Sequence, residues 1–238
     1  MSNRFYIDTT LACHTQVELT ETVFHHWIKV LRAKVGDSAI LFNGLGGEYH
    51  ARIIDIQKKN ATVEITTHHT LNRTPNFQAT LGQVMSKGDR MDYAIQKAVE
   101  LGVKEIQLLT SERCEMRLKY ERDQKKIEHW QSIAIAACEQ CGLNIVPKIH
   151  PPQRLDEWLT SNLPSTKLVL APNNHNENPL GHASHDLALL IGPEGGLSDA
   201  EIEQAKQNGF IPWCIGERVL RTETAPIVAL SILNFVFK

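Results

Sequence analysis

From about residue 77 onward this chain of 238 residues alternates short apolar runs with amphipathic helical stretches, and that alternation restricts the fold more than any other feature. ATLGQVMS reads as a strand, residues 89–101 as a helix, EIQLLTS as a strand, residues 121–140 as a long helix and NIVPKI as a strand. TKLVLAP, LALLI and IPWCIG are three more apolar runs, the last two separated by a helix. Consecutive parallel strands need a crossover long enough to hold a helix. The pattern therefore implies an α/β domain whose parallel sheet is covered on both faces.

The preceding seventy or so residues follow a different rule. After RFYI, the segment Thr20–Leu31 has an N-capping Thr20, an acid in the first turn and apolar residues at helical spacing. The period then changes to two: AILFN leads through Gly44, Gly46 and Gly47 into EYHARIIDIQ, and a Lys58-Lys59-Asn60 turn connects that strand to ATVEITT. A small antiparallel barrel or sheet is expected here. The polar stretch HHTLNRTPN, residues 68–76, reads as a linker, giving domains 1–72 and 73–238.

Composition excludes several classes. No run of about 18 apolar residues is present, and MSNRFYIDTT lacks the succession of a secretory signal, so the expectation is a cytoplasmic protein. Five scattered cysteines do not suggest a disulfide framework. Cys138-x-x-Cys141 has no second ligand pair and falls at a helix end, so packing is expected there and no metal site. A net charge of −2 gives no global attraction for nucleic acid, and any polyanion contact must come from a local patch.

Two loops carry the chemistry. In LALLIGPEGGLSDAEIEQAKQNGF a strand ends at Ile191, a glycine-rich loop follows, and Ser198 with Glu201 forms a capping box that opens a helix closed by Gly209. Open α/β sheets bind ligands at this place, the carboxyl end of a parallel strand; a plain structural turn is the alternative. The spacing fits neither a P-loop nor G-x-G-x-x-G. In CIGERVLRTETAPIVALSILNFVF a strand ends in Gly216 and a polar loop presents Arg218, Arg221, Thr222, Glu223 and Thr224. An apolar helix with Pro226 near its start follows, without a charge from Ala225 to Phe237, and must pack into the core or into a second subunit.

HHWIKVLRAKVGD at residues 25–37, ACEQCG at residues 137–142, IGPEGGLSDAEI and IGERVLRTETA, in this order along nearly the whole chain, resemble the RsmE-type uracil-N3 methyltransferases of small-subunit ribosomal RNA, within the SPOUT class. The resemblance implies an N-terminal PUA-like RNA-binding β-barrel, a C-terminal α/β domain with a trefoil knot, and a homodimer. It implies S-adenosylmethionine as cofactor, held by Leu170, Ala171 and Pro172, by Ile191, Gly192, Gly196 and Leu197, and by Ile215, Gly216, Val219, Leu220 and Thr222. It also implies methylation of uridine 1498 of 16S ribosomal RNA, in the assembled small subunit. The family often has an arginine after EQCG where Leu143 stands, which removes one expected RNA contact.

Uracil N3 bears a proton and is a poor nucleophile when neutral, so such a site must favour the deprotonated base while aligning it. Arg221 is the expected stabiliser of the developing charge, with Glu194 or Glu223 accepting the proton or orienting that arginine. The alternative for Arg221 is a structural ion pair with Glu223 or another loop acid. Arg4, His25, His26, Lys29 and Arg32, and Lys87, Arg90, Arg113, Arg117 and Lys119, form two candidate phosphate patches; solvated faces are the plainer reading. Two rivals share these features in part: a non-catalytic RNA-binding assembly factor and an unrelated nucleotide-using α/β enzyme.

Overall fold

The computed structural model describes residues 3–116, 120–171, 179–181 and 183–238, with the side chains of 120–123 excepted. Contacts divide the chain into two compact units, Met1–Thr74 with Cys138–Val146, and Pro75–Ala137 with Pro147–Lys238.

The first unit holds a five-stranded sheet in the order β1-β3-β4-β5-β2. Its strands are β1 (Arg4–Tyr6), β2 (Gln16–Glu18), β3 (Ser38–Phe42), β4 (Glu48–Ile56) and β5 (Ala61–His69). β1 pairs with β3 in parallel and the other ladders are antiparallel, so the sheet is mixed where a purely antiparallel one was expected. No ladder joins β2 to β1 among the described residues, and the barrel is not closed by hydrogen bonds. Two register shifts in β4, at His50/Ala51 and Ile53/Asp55, mark the bulges that bend it. The expected turn is present, with the Gln57 N–H donating to the Asn60 carbonyl.

The helix after Thr20 differs from expectation in its winding. Thr20 caps α1 (Glu21–Val23) through its hydroxyl, but Phe24–Val30 then winds as a π-helix, with the Leu31 N–H donating to the His26 carbonyl. The wider turn still buries Phe24, Trp27 and Ile28 against Leu41, Val63 and Ile65.

The second unit is built on a six-stranded sheet in the order β11-β9-β10-β6-β7-β8, and every neighbouring pair is parallel. Its strands are β6 (Gln78–Val84), β7 (Glu105–Thr110), β8 (Lys148–Arg154), β9 (Thr166–Leu170), β10 (Asp186–Ile191) and β11 (Ile211–Trp213). The helices are α2 (Asp89–Glu100), α3 (Tyr120–Cys141, whose last turn from Cys138 belongs to the first unit), α4 (Leu155–Leu159), α5 (Asp199–Gln207) and α6 (Ala225–Val236). β6 and β10 are buried from their second residue on, as central parallel strands covered on both faces must be.

The sequence placed a strand at NIVPKI, but β8 starts only at Lys148 and runs through Pro151 and Pro152. Prolines are tolerated there because β8 is an edge strand. α4 was not anticipated; its Trp158 packs over Gly82 of β6 so closely that a Cβ would lie 2.3 Å from the ring. α6 is buried along one part of its surface only. Ala229, Leu230 and Leu233 are fully buried within the unit, while Phe235 and Val236 stay exposed.

Candidate active site

Because β11, β9, β10 and β6 are adjacent and parallel, the segments leaving their carboxyl ends emerge along one edge of the sheet. Ala171 after β9, Gly192–Leu197 after β10, and Ile215, Gly216, Arg218–Leu220 and Thr222 after β11 line a single cleft of about 620 Å³. That size falls within the range of roughly 300–1,000 Å³ common for small-molecule sites.

The loop after β10 is both a tight turn and a cleft wall. The Gly196 N–H donates to the Pro193 carbonyl at 2.9 Å, and Gly196 has φ +68°, which favours glycine. At Gly192 a Cβ would come within 3.0 Å of the Leu197 nitrogen and 3.1 Å of its Cγ. The capping box forms as the sequence implied: the Glu201 N–H donates to Ser198 Oγ, and the Ser198 N–H donates to Glu201 Oε2. It anchors α5, whose Asp199, Ile202, Glu203 and Lys206 complete one wall.

A hydrogen-bond chain ties the two loops together. The buried Thr222 hydroxyl donates to the Gly192 carbonyl at 2.8 Å and accepts from Gln83 Nε2 at 3.1 Å. The structure thus gathers Leu170, Ala171, Ile191, Gly192, Gly196, Leu197, Ile215, Gly216, Val219, Leu220 and Thr222 around one space. Pro172 lies outside the described residues. The walls are apolar at Leu170, Ile191, Trp213, Ile215 and Leu220, and carboxylates enter from Asp199 and Glu203. Glu194 adds a third carboxylate, and Arg113, Lys206 and Arg218 line the same space, with the Lys206 ammonium 3.6 Å from Glu203 Oε2.

The three residues expected to act on a base are disposed unequally. Glu194 lines the cleft, and its Oε1 accepts from the Lys87 N–H at 3.1 Å and from Arg90 Nη1 at 2.8 Å, so its partner is Arg90 and not Arg221. Arg221 is exposed beside the cleft without lining it, and its carbonyl accepts the N–H groups of Thr224 and Ala225. Glu223 Oε2 is buried with no hydrogen-bond partner among the described residues. No ion pair joins Arg221 to Glu223 among the described residues.

One candidate phosphate contact is corrected. The Arg4 side chain, only 10% exposed, pairs with Glu48 at 2.6 Å and donates to Asn144 Oδ1 at 2.6 Å and to the Leu143 carbonyl at 3.4 Å. Its guanidinium is spent inside the first unit. Burial alone would raise the Glu48 carboxyl, but hydrogen bonds from Arg73 and Arg4 prevail and hold it below the ordinary range. His25, His26, Lys29 and Arg32 are exposed, with the Lys29 ammonium over the Phe24 ring. Lys87 pairs with Glu115, and Arg113 lines the cleft while donating to the Gly195 carbonyl at 3.0 Å. Arg117 and Lys119 lie outside the described residues. Cys138 is buried, and burial pushes its thiol up to about 12, as suits a packing residue.

Sequence reasoning missed Gln83, Trp213, Asp199, Glu203 and Lys206. Gln83 had a readable signal, a polar residue inside the apolar run ATLGQVMS. The α5 residues had none, since helical spacing does not reveal which neighbour a helix faces.

The chain thus holds a parallel sheet with glycine-bearing loops around one cleft and, as a separate unit, a small mixed sheet. A family model described as an RNA methyltransferase domain matches residues 72–234, and one described as an RNA methyltransferase PUA domain matches residues 19–66. The ribosomal RNA small subunit methyltransferase E of Buchnera aphidicola (from Schizaphis graminum) is 37% identical over 236 residues, covering 98% of this chain and 96% of its own. The Bacillus subtilis protein of the same name is 28% identical, with 98% and 96% covered. A crystal structure of the Neisseria gonorrhoeae ribosomal RNA small subunit methyltransferase E bound to S-adenosyl methionine superposes with a TM-score of 0.93 at 37% identity, covering 100% of this chain and 98% of that one. A Legionella pneumophila structure in complex with bound SAM gives 0.94 at 38% identity, covering 99% and 98%. The chain belongs to the ribosomal RNA small subunit methyltransferase E family.

Proposed function

We propose that this protein transfers a methyl group from S-adenosylmethionine to N3 of a uridine in small-subunit ribosomal RNA, uridine 1498 of 16S ribosomal RNA by the family resemblance. The observation that carries the reading is the cleft framed by the loops after β9, β10 and β11, with Thr222 joined to Gly192. The lining fits the donor: Leu170, Ile191, Ile215 and Leu220 offer apolar surface to adenine, and Asp199 offers a carboxylate to a cationic ligand. When bound, the donor supplies an electrophilic methyl group on a sulfonium.

The protein's own residues then handle the base. Arg221, exposed at the cleft's border, stabilises negative charge on the uracil carbonyls as N3 loses its proton. Of the two candidate proton acceptors, Glu194 lines the cleft but is held by Arg90, and Glu223 keeps an uncommitted, buried Oε2 outside the lining. The base reaches the cleft unpaired or flipped out. In the same reading residues 1–72 bind RNA, with His25, His26, Lys29 and Arg32 as phosphate contacts, and residues 73–238 carry the chemistry, with Lys87 and Arg113 at the RNA face. The resemblance adds a knotted cytoplasmic homodimer acting on the assembled subunit. Exposed Phe235 and Val236 on α6 offer apolar surface for a second copy.

The test is to incubate undermethylated small subunits with the protein and labelled S-adenosylmethionine and to map the product. Label at uracil N3 is expected. Label at C5 or at a ribose 2′-hydroxyl overturns the assignment.

A further inference from the structure

Gln83 sits near the carboxyl end of β6 and is 1% exposed. Its register partner on β10 is Ile191, the last strand residue before the glycine-rich loop. The orientation of its amide follows from its neighbours. Nε2 donates to the Val84 carbonyl at 3.1 Å and to Thr222 Oγ1 at 3.1 Å, and because a carbonyl can only accept, the nitrogen side must face Val84. A hydroxyl that receives one N–H still has one hydrogen to give, and Thr222 gives it to the Gly192 carbonyl at 2.8 Å. The chain of bonds runs one way, from the amide through the hydroxyl to the loop.

Gln83 Oε1, meanwhile, is buried with no partner among the described residues. A buried acceptor left unpaired costs free energy that an apolar side chain at this position would not. The sheet alone has no use for an amide here; the loops do. We propose that Gln83 is a positioning residue for the donor cleft: it fixes the direction of the Thr222 hydroxyl and so holds the Gly192 loop against the Leu220–Thr222 segment. The proposal rests on the reading of this cleft as the S-adenosylmethionine site, and the experiment below separates the two.

Gln83→Glu is the informative variant. An ionised carboxylate can only accept, so the Thr222 hydrogen turns to it and the Gly192 carbonyl loses its donor. At pH 8 the dissociation constant for S-adenosylmethionine, measured by calorimetry, should rise about tenfold, and amide hydrogen exchange over residues 192–197 should quicken. A buried carboxyl titrates above its ordinary range, so acidification restores an O–H donor and affinity recovers in part. Gln83→Met, nearly the same shape and unable to donate at any pH, should stay weak across the range and show the same faster exchange.

Three outcomes overturn the relay: unchanged exchange in both variants, wild-type affinity in Gln83→Glu at pH 8, or equal losses in both variants with no recovery in acid, which would indicate packing alone. Faster exchange in the variants, with no binding even by the wild type, keeps the relay and removes the methyl-donor reading. Should the charge prevent folding, seen as loss of the thermal transition, exchange in Gln83→Met decides: loosening of 192–197 supports the relay and an unchanged loop rejects it.

Discussion

In the first unit the buried carboxylate of Glu48 receives hydrogen bonds from both Arg4 and Arg73, while in the second unit Gln83 and Glu223 each keep a buried oxygen with no hydrogen-bond partner among the described residues. The first arrangement gathers separate pieces of chain, since Arg73 also donates to the Gly142 carbonyl and Arg4 to Asn144. The second leaves acceptors unanswered next to a cleft. A paired buried carboxylate holds chain segments together, although the first unit also keeps one orphan, Arg4 Nε, among the described residues.

The largest effect expected from breaking this contrast is at the paired end. Glu48→Ala leaves Arg4 buried without its carboxylate and should cost the first unit about 3–5 kcal/mol, read as an earlier chemical-denaturation transition. Denaturation curves that overlay would show the pair to be incidental. Next comes Arg221→Ala. Loss of a charge-stabilising group from the transition state should lower turnover by about a hundredfold or more, with thermal unfolding unchanged because the side chain is exposed. Retained turnover would take Arg221 out of its assigned role.

The smallest effect is on acid stability, and its sign follows from two carboxyls. Glu48 titrates below its ordinary 4.5, so its contribution is complete above that pH and is lost as pH falls through the lower folded value. Glu139, which accepts the Tyr6 N–H, is raised, chiefly by burial, so acid favours the folded state through it. Unfolding scans below pH 4.5 should therefore show a net loss that shrinks in Glu48→Gln. A variant as acid-sensitive as the wild type would shift the cause elsewhere.

Much of the second unit could be read from the chain because its physics is local. Parallel strands buried on both faces announce themselves as apolar runs, and the Ser198–Glu201 box and Pro226 fix helix starts within a few residues. The ends of those strands then located the cleft, since parallel neighbours deliver their loops to one edge. What stayed hidden depends on distant partners. Arg4 looked like a phosphate ligand because nothing in RFYI reveals Glu48 or Asn144 waiting more than forty residues away. β8 was misplaced because the apolar Ile145 and Val146 imitate a strand, while the chain there bends and pairs only from Lys148. The parallel pairing of β1 with β3 and the π-helical winding of Phe24–Val30 leave no periodic trace at all.

The bond from Gln83 to Thr222 joins positions 139 apart along the chain. A nascent polypeptide therefore has the sheet's early strands long before it has a cleft, and a ligand of that cleft can stabilise nothing until the last loop arrives. Ligand rescue of a folding defect should accordingly act only on the completed chain, as a late lock on an already collapsed sheet.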